Sequence, residues 1–319
     1  MMKTDDLYFE SIRPYIDSEV QEVVAHLVQQ EEVQGILHHF YGDITREQLD
    51  KMVERSTSIH NFKETFLKPV IEVILKDSTF SLTISGKSKL VKRGEEKQLF
   101  ISNHRDIILD SAFLNYLLYS SGLGFPRIAI GDNLLISEWI RVVVRLADAF
   151  IVKRSPSMRE MLIESKRLSN YILSSVAGGE ASVWLAQSEG RRKNSDDRTQ
   201  TAVLKMLTLS AERGESEAEL LSKLHITPVA ITYEYDPCDY LKAKEMLAKK
   251  LDPSWKKAPL DDLIFITVAT CYKSYLRVSI HTSIGSMEPA STYRLHFSSS
   301  ADISSGKGEV KSICSFLTG

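Results

Sequence analysis

The sequence predicts an α/β fold: a mixed, largely parallel sheet flanked by helices, with an N-terminal helical region. Two observations carry this. From Phe80 onward, short apolar runs of strand length alternate with helix-length segments, the alternation that layers helices on a sheet. Before Phe80, apolar residues recur instead at helical spacing, as at Val20, Val23, Val24 and Leu27.

The elements follow in order. "FSLTISG" (Phe80–Gly86) is a β-rich run closed by a glycine, and "QLFISN" is short and apolar throughout, as a strand buried on both faces requires. "PRIAIGDN", "DAFIVKRS", "ASVWLAQSEG" and "TPVAITYEYDP" repeat that texture, and "SYLRVSIHTSIG" reads as a late strand. Helices are expected over Ile107–Tyr119, Ser157–Leu173 and Tyr240–Leu251. The chain thus divides into a helical region (1–78), an α/β domain (79–290) and a serine- and glycine-rich tail (291–319) expected to be poorly ordered.

A chain that is 43% hydrophobic and 26% charged has a globular composition, and a net charge of -2 gives no global attraction to nucleic acid. The three cysteines, Cys238, Cys271 and Cys314, lack metal-ligand spacing and fit a reducing compartment. The N-terminus has no secretory pattern, and no apolar run approaches the roughly 18 residues that cross a bilayer. A cytoplasmic protein, peripheral at the inner face of a membrane, is the expectation.

Chemistry collects where the strands end, the usual place for reactive groups in an open α/β sheet. "FISNH" ends in Asn103-His104, "AFIVKR" in Lys153-Arg154, and "VWLAQSEGRRK" in Glu189, Gly190, Arg191, Arg192 and Lys193. Singly, each has an ordinary explanation: a core histidine, a solvated strand end, a surface turn. Together they form a general base beside a carboxylate, Asp106 or Asp110, and a cationic clamp for an anion. No Gly-x-Ser-x-Gly elbow, phosphate-binding loop or His-Glu-x-x-His helix supports a hydrolase or metallopeptidase.

From Gln98 to Asp236 the order of these blocks resembles the glycerolipid acyltransferases, the glycerol-3-phosphate and 1-acylglycerol-3-phosphate acyltransferases. His104 through Asp110 is similar to their catalytic block, "DAFIVKRS" to the second, "SEGRRK" to the third and "TPVAI", with Pro228, to the fourth. The resemblance implies a fatty acyl transfer from acyl-CoA or acyl-carrier protein, with no other cofactor and no metal, onto a hydroxyl of an anionic glycerolipid acceptor. It implies His104 as base with Asp110, and acceptor binding by Lys153, Arg154, Glu189, Gly190, Arg192 and Lys193. Backbone N–H groups at the helix start are the expected oxyanion donors.

Two departures stand out. Lys193 occupies the third block's serine, and five residues rather than four separate His104 from Asp110, which turns a helical position by about 100°. Asp110 then reaches His104 only if the first turn adjusts, with Asp106 as helix cap; alternatively Asp106 itself is the partner. The amphipathic stretch "NLLISEWIRVVVRLADAF" reads either as a membrane-facing or acyl-chain surface or as a core helix with Arg141 and Arg145 at its rim. A lipid-binding protein without turnover and an acyltransferase for a lyso-aminolipid remain the alternative functions.

Overall fold

The computed structural model describes residues 4–91, 96–154, 157–194, 196–258, 261–262, 265–266, 269 and 274–280. The expected tail, 291–319, lies outside them, as do Cys271 and Cys314. Helices α1 (Thr4–Phe9), α2 (Asp17–Leu27), α3 (Glu31–Tyr41), α4 (Arg46–Arg55), α5 (Ile59–Phe62) and α6 (Lys68–Ser78) come first. A π-helical turn, Lys63–Leu67, joins the last two. Then follow β1 (Thr79–Ser85), α7 (Lys87–Val91), β2 (Leu99–Ser102), α8 (Leu109–Tyr119), β3 (Arg127–Gly131), α9 (Glu138–Leu146), β4 (Ala149–Val152) and α10 (Met158–Ala177). The remainder is β5 (Val183–Ala186), α11 (Thr201–Leu207), α12 (Glu217–Lys223), β6 (Thr227–Tyr233), α13 (Asp239–Leu251) and β7 (Ser274–Ile280).

The strands form one sheet in the order β1-β7-β6-β2-β5-β3-β4. Every described pairing is parallel except β6 with β7, so the sheet is mixed and largely parallel, as the sequence predicts. β2 is buried along its whole length between β5 and β6, which explains why Leu99, Phe100 and Ile101 form an unbroken apolar run. One face packs Phe113, Leu114 and Leu118 of α8 against Phe100, Trp184 and Val229. The other packs Tyr171 and Ile172 of α10 against Leu99, Leu185 and Phe150.

Two helices differ from the sequence reading. α8 starts at Leu109 rather than Ile107, because a capped turn precedes it. α10 runs on to Ala177, since Ile172 and Val176 continue its buried stripe until Gly178 and Gly179 end it. The late strand pairs with β6 over Ser274–Ile280, and residues 281–285 of that motif lie outside the described residues.

α9 resolves its own ambiguity. Trp139, Val142, Val143 and Leu146 pack with Val20, Val24, Phe62 and Phe66 of the helical region, while Ile140 and Val144 face the sheet's cores. Arg145 stacks on the Tyr15 ring at 4.1 Å and donates to the Arg13 carbonyl at 3.1 Å. The apolar side of α9 is thus an internal joint. Among the described residues no helix is long and apolar enough to cross a membrane.

A buried charge pair locks the same joint. The Lys63 ammonium, 4% exposed, lies 3.1 Å from Asp148 Oδ2 and over the Phe125 ring. Asp148 sits at φ +64° in the turn between α9 and β4, a conformation Asp and Asn tolerate better than most residues. Burial pushes the Lys63 ammonium down, and the Asp148 charge offsets only part of that, so it stays below its ordinary value. Asp148→Asn keeps the backbone and strands the lysine charge, so a loss of about 3 kcal/mol is expected in urea unfolding; Lys63→Met, which removes the charge, should cost clearly less.

Candidate active site

The carboxyl ends of β2, β5 and β6 lie side by side, with Ser102 in register with Ala186 and Val229. The Gln187 amide then donates to the Ser102 carbonyl at 2.8 Å, so the chains leaving β2 and β5 stay together past the strands. Asn103 fixes the third side. Its amide exchanges two 2.8 Å bonds with the backbone of Ile231 on β6, imitating one more rung of sheet. His104 is the first residue free of this lattice.

His104 Nδ1 lies 2.9 Å from Asp110 Oδ2, and that oxygen also accepts the backbone N–H groups of Arg105 at 2.6 Å and Asp106 at 3.0 Å. Tyr233 OH donates to the other oxygen at 2.6 Å. Asp110 is fully buried. Burial alone would raise its carboxyl, but the bonds and charge of His104 and the donation from Tyr233 outweigh it and hold the group below its ordinary range. An ionised carboxylate only accepts, so Nδ1 carries the hydrogen and Nε2 is left with a free lone pair. The ring, 16% exposed, packs edge-on to Trp184 with centroids 5.6 Å apart, and Trp184 is itself fixed by a 2.9 Å bond to Ser102 Oγ.

The five-residue spacing is absorbed before the helix. Asp106 Oδ1 accepts from the amides of Ile108 at 2.9 Å and Leu109 at 2.8 Å, capping a turn that delays α8. Asp106 is buried at 2% exposure, with its other oxygen toward Cys238 Sγ rather than the imidazole. Of the two candidates, Asp110 reaches His104 and Asp106 makes the cap. Burial and the neighbouring Asp110 charge push the Asp106 carboxyl up. The same bonds alter one expectation: the amides of Arg105, Asp106, Ile108 and Leu109 are committed to carboxylates, so they do not serve as oxyanion donors.

The third block wraps around this loop. The Arg192 amide donates to the His104 carbonyl at 2.9 Å, and Arg105 grips the same segment through Asn194 O at 2.7 Å and Asp197 at 2.6 Å. Gly190 turns the chain at φ +71°, where a side chain would be strained. Arg192 donates to the Arg198 carbonyl at 3.3 Å, and its buried Nε has no partner among the described residues. Glu189 pairs with Arg154 at 3.5 Å, and Arg154 lies over Gly131 at the end of β3.

Lys153 and Lys193 go elsewhere. Successive residues of an extended chain face opposite sides, and Lys153 lines a cleft of about 30 Å³ with Ile12, Glu164, Ser165 and Leu168. Lys193 pairs with Glu245 on α13, and its ammonium is lowered by burial. Arg191, between Gly190 and Arg192, is 9% exposed, ion-paired to Asp262 at 2.9 Å and stacked on Phe265. Sequence reasoning missed Tyr233, Trp184, Arg105, Asp197 and Lys242. Lys242, nearly fully buried, donates to the Arg105 carbonyl at 2.8 Å and pairs with Asp236. Only Tyr233 was traceable, two residues beyond the fourth block on the strand beside β2.

The Acyltransferase family model matches residues 81–232, a span that contains every one of these blocks. No curated protein matches the chain by sequence. Among solved structures it is similar to the 1-acyl-sn-glycerophosphate (LPA) acyltransferase PlsC from Thermotoga maritima, at 10% identity over 83% of each chain. The TM-score of 0.35 is too low to carry an inference.

The two aspartates should separate in a pH series. A raised Asp106 destabilises the fold when ionised, a penalty absent below the ordinary carboxylate range and complete above its folded value. Asp106→Asn keeps the cap, so its Tm should equal wild type in acid and exceed it at neutral pH. Asp110 has the opposite sign: its contribution is present above the unfolded value and is lost as pH falls through the lowered one. Asp110→Asn should flatten that acid limb and cut turnover by about three orders of magnitude. Tyr233→Phe should cost roughly tenfold in kcat and move the acid limb of kcat/KM upward, because Oδ1 loses its donor.

Proposed function

We propose, from the match of residues 81–232 to the Acyltransferase family model, that this protein moves a fatty acyl group from a thioester donor to a hydroxyl of an anionic glycerolipid acceptor. The donor is acyl-CoA or acyl-carrier protein, and glycerol 3-phosphate or a lysophospholipid is the acceptor. The observation that carries this reading is the division of the His104 ring: Asp110 holds Nδ1, leaving Nε2 at the sheet's carboxyl edge.

Nε2 takes the acceptor's hydroxyl proton as its oxygen attacks the thioester carbonyl. A C–O bond forms, the tetrahedral intermediate collapses, and the C–S bond breaks. The imidazolium returns the proton to the departing thiolate. No side-chain nucleophile is needed, because the thioester is already activated. Asp110 sets the tautomer and stabilises the imidazolium, and Tyr233 holds Asp110 in place. Arg192, whose buried Nε has no partner among the described residues, and Arg154 bind the acceptor's anionic group. Glu189 orients Arg154, while Lys193, bound to Glu245, holds the loop rather than the acceptor.

Purified protein with labelled acyl-CoA or acyl-carrier protein should release thiol only when an acceptor is added, from a panel of glycerol 3-phosphate, lysophosphatidate and a carboxylate-bearing lyso-aminolipid. Thiol release without acylated product, or equal release without acceptor, would refute the reading. His104→Ala should lower kcat by roughly 10²–10⁴. Arg192→Ala should raise the acceptor's KM by about tenfold or more with a smaller change in kcat.

A further inference from the structure

α13 has two faces of different character. Its inner face belongs to the site: Lys242 holds the Arg105 carbonyl and Glu245 holds Lys193, so the helix lies along the sheet's carboxyl edge. Its outer face carries Tyr240, Leu247 and Leu251, exposed at 74, 56 and 76%. Spacings of seven and four place these three on one stripe. Lys244 and Lys250 flank the stripe, exposed and without an ion pair among the described residues. Of the acidic groups on the helix and at its ends, Asp239 lies at its start, Asp252 follows Leu251 and accepts from the amide and hydroxyl of Ser254, and Glu245 is buried and paired.

Large apolar side chains in water flanked by lysines form a surface helix suited to the boundary of a charged bilayer, where apolar burial and charge attraction add. α10 leaves from the carboxyl side of β4 and exposes Met158 and Leu162 one turn apart, at 78 and 59%. We infer that α13 is the docking helix by which this enzyme rests on an anionic lipid surface, with the carboxyl edge of the sheet toward the lipid. The inference rests on the proposed function only in supposing that the acceptor comes from that surface. The occupant follows from charge: exposed lysines beside an apolar stripe match anionic headgroups rather than a neutral protein groove. The coupling follows from geometry, because the helix that meets the lipid also holds the loop that carries His104.

The test uses the full chain and two double variants on exposed positions, Lys244→Glu/Lys250→Glu and Leu247→Ser/Leu251→Ser. Co-sedimentation with phosphatidylcholine vesicles, with and without phosphatidylglycerol, reads binding directly. Wild type should bind the anionic vesicles, and the lysine variant should bind them about thirtyfold more weakly, each lost lysine being a severalfold effect. Acyl transfer to a water-soluble acceptor should be unchanged in both variants, while transfer to a vesicle-borne acceptor falls. Wild-type failure to bind, or variants that bind like wild type, would overturn the proposal whatever the activity shows. A change of oligomeric state by light scattering in place of lost vesicle binding would also overturn it, marking the face as a contact between copies. Failure of soluble acyl transfer in wild type, with vesicle binding intact, would instead count against the function alone.

Discussion

A buried carboxylate must be surrounded by donors, and the arrangement of this protein's site follows from meeting that requirement at Asp110. Four hydrogen atoms point at two oxygens: those of His104 Nδ1, two successive backbone amides and the Tyr233 hydroxyl. An unpaired charge at that depth would cost several kcal/mol. The loop from His104 to Asp106 therefore folds around the carboxylate, and the imidazole is one of its ligands. The histidine's orientation is fixed as part of stabilising the charge.

The surroundings of the loop are equally tied. The Asn103 amide anchors its start to β6, Lys242 holds its middle, and the Arg192 amide takes the His104 carbonyl. Three chain segments distant in sequence thus meet on a few consecutive residues. Two of them also carry the groups proposed to meet the acceptor or the lipid. A disturbance at Arg192 or α13 has a short route to His104 through hydrogen bonds rather than through general flexibility.

The fold was largely legible because its signal is periodicity. Buried parallel strands read as unbroken apolar runs, and Leu99 to Ile101 could hardly lie elsewhere than mid-sheet. The two helix ends that differed depend on side-chain bonds and a glycine pair rather than on pattern. In the site, His104, Asp110, Arg154, Glu189 and Arg192 were visible as unusual chemistry at strand ends. Trp184 and Lys242 were not, because they read in sequence as an ordinary aromatic strand residue and a helix lysine, and Tyr233 was traceable only by its place two residues past the fourth block. Lys153 and Lys193 show the converse limit. Their charge was legible, but their direction depends on strand alternation and on Glu245, fifty-two positions away.

The turn capped by Asp106 has a consequence for recognising chains with this site. An added residue between imidazole and carboxylate was taken up by starting α8 later, with the imidazole–carboxylate distance at 2.9 Å. The quantity held fixed is therefore a length in space, and the number of letters between the two residues can drift around it. A pattern that demands a fixed gap would pass over this chain. One that asks for a histidine after a buried strand and an acid within the opening turn of the next helix would find it.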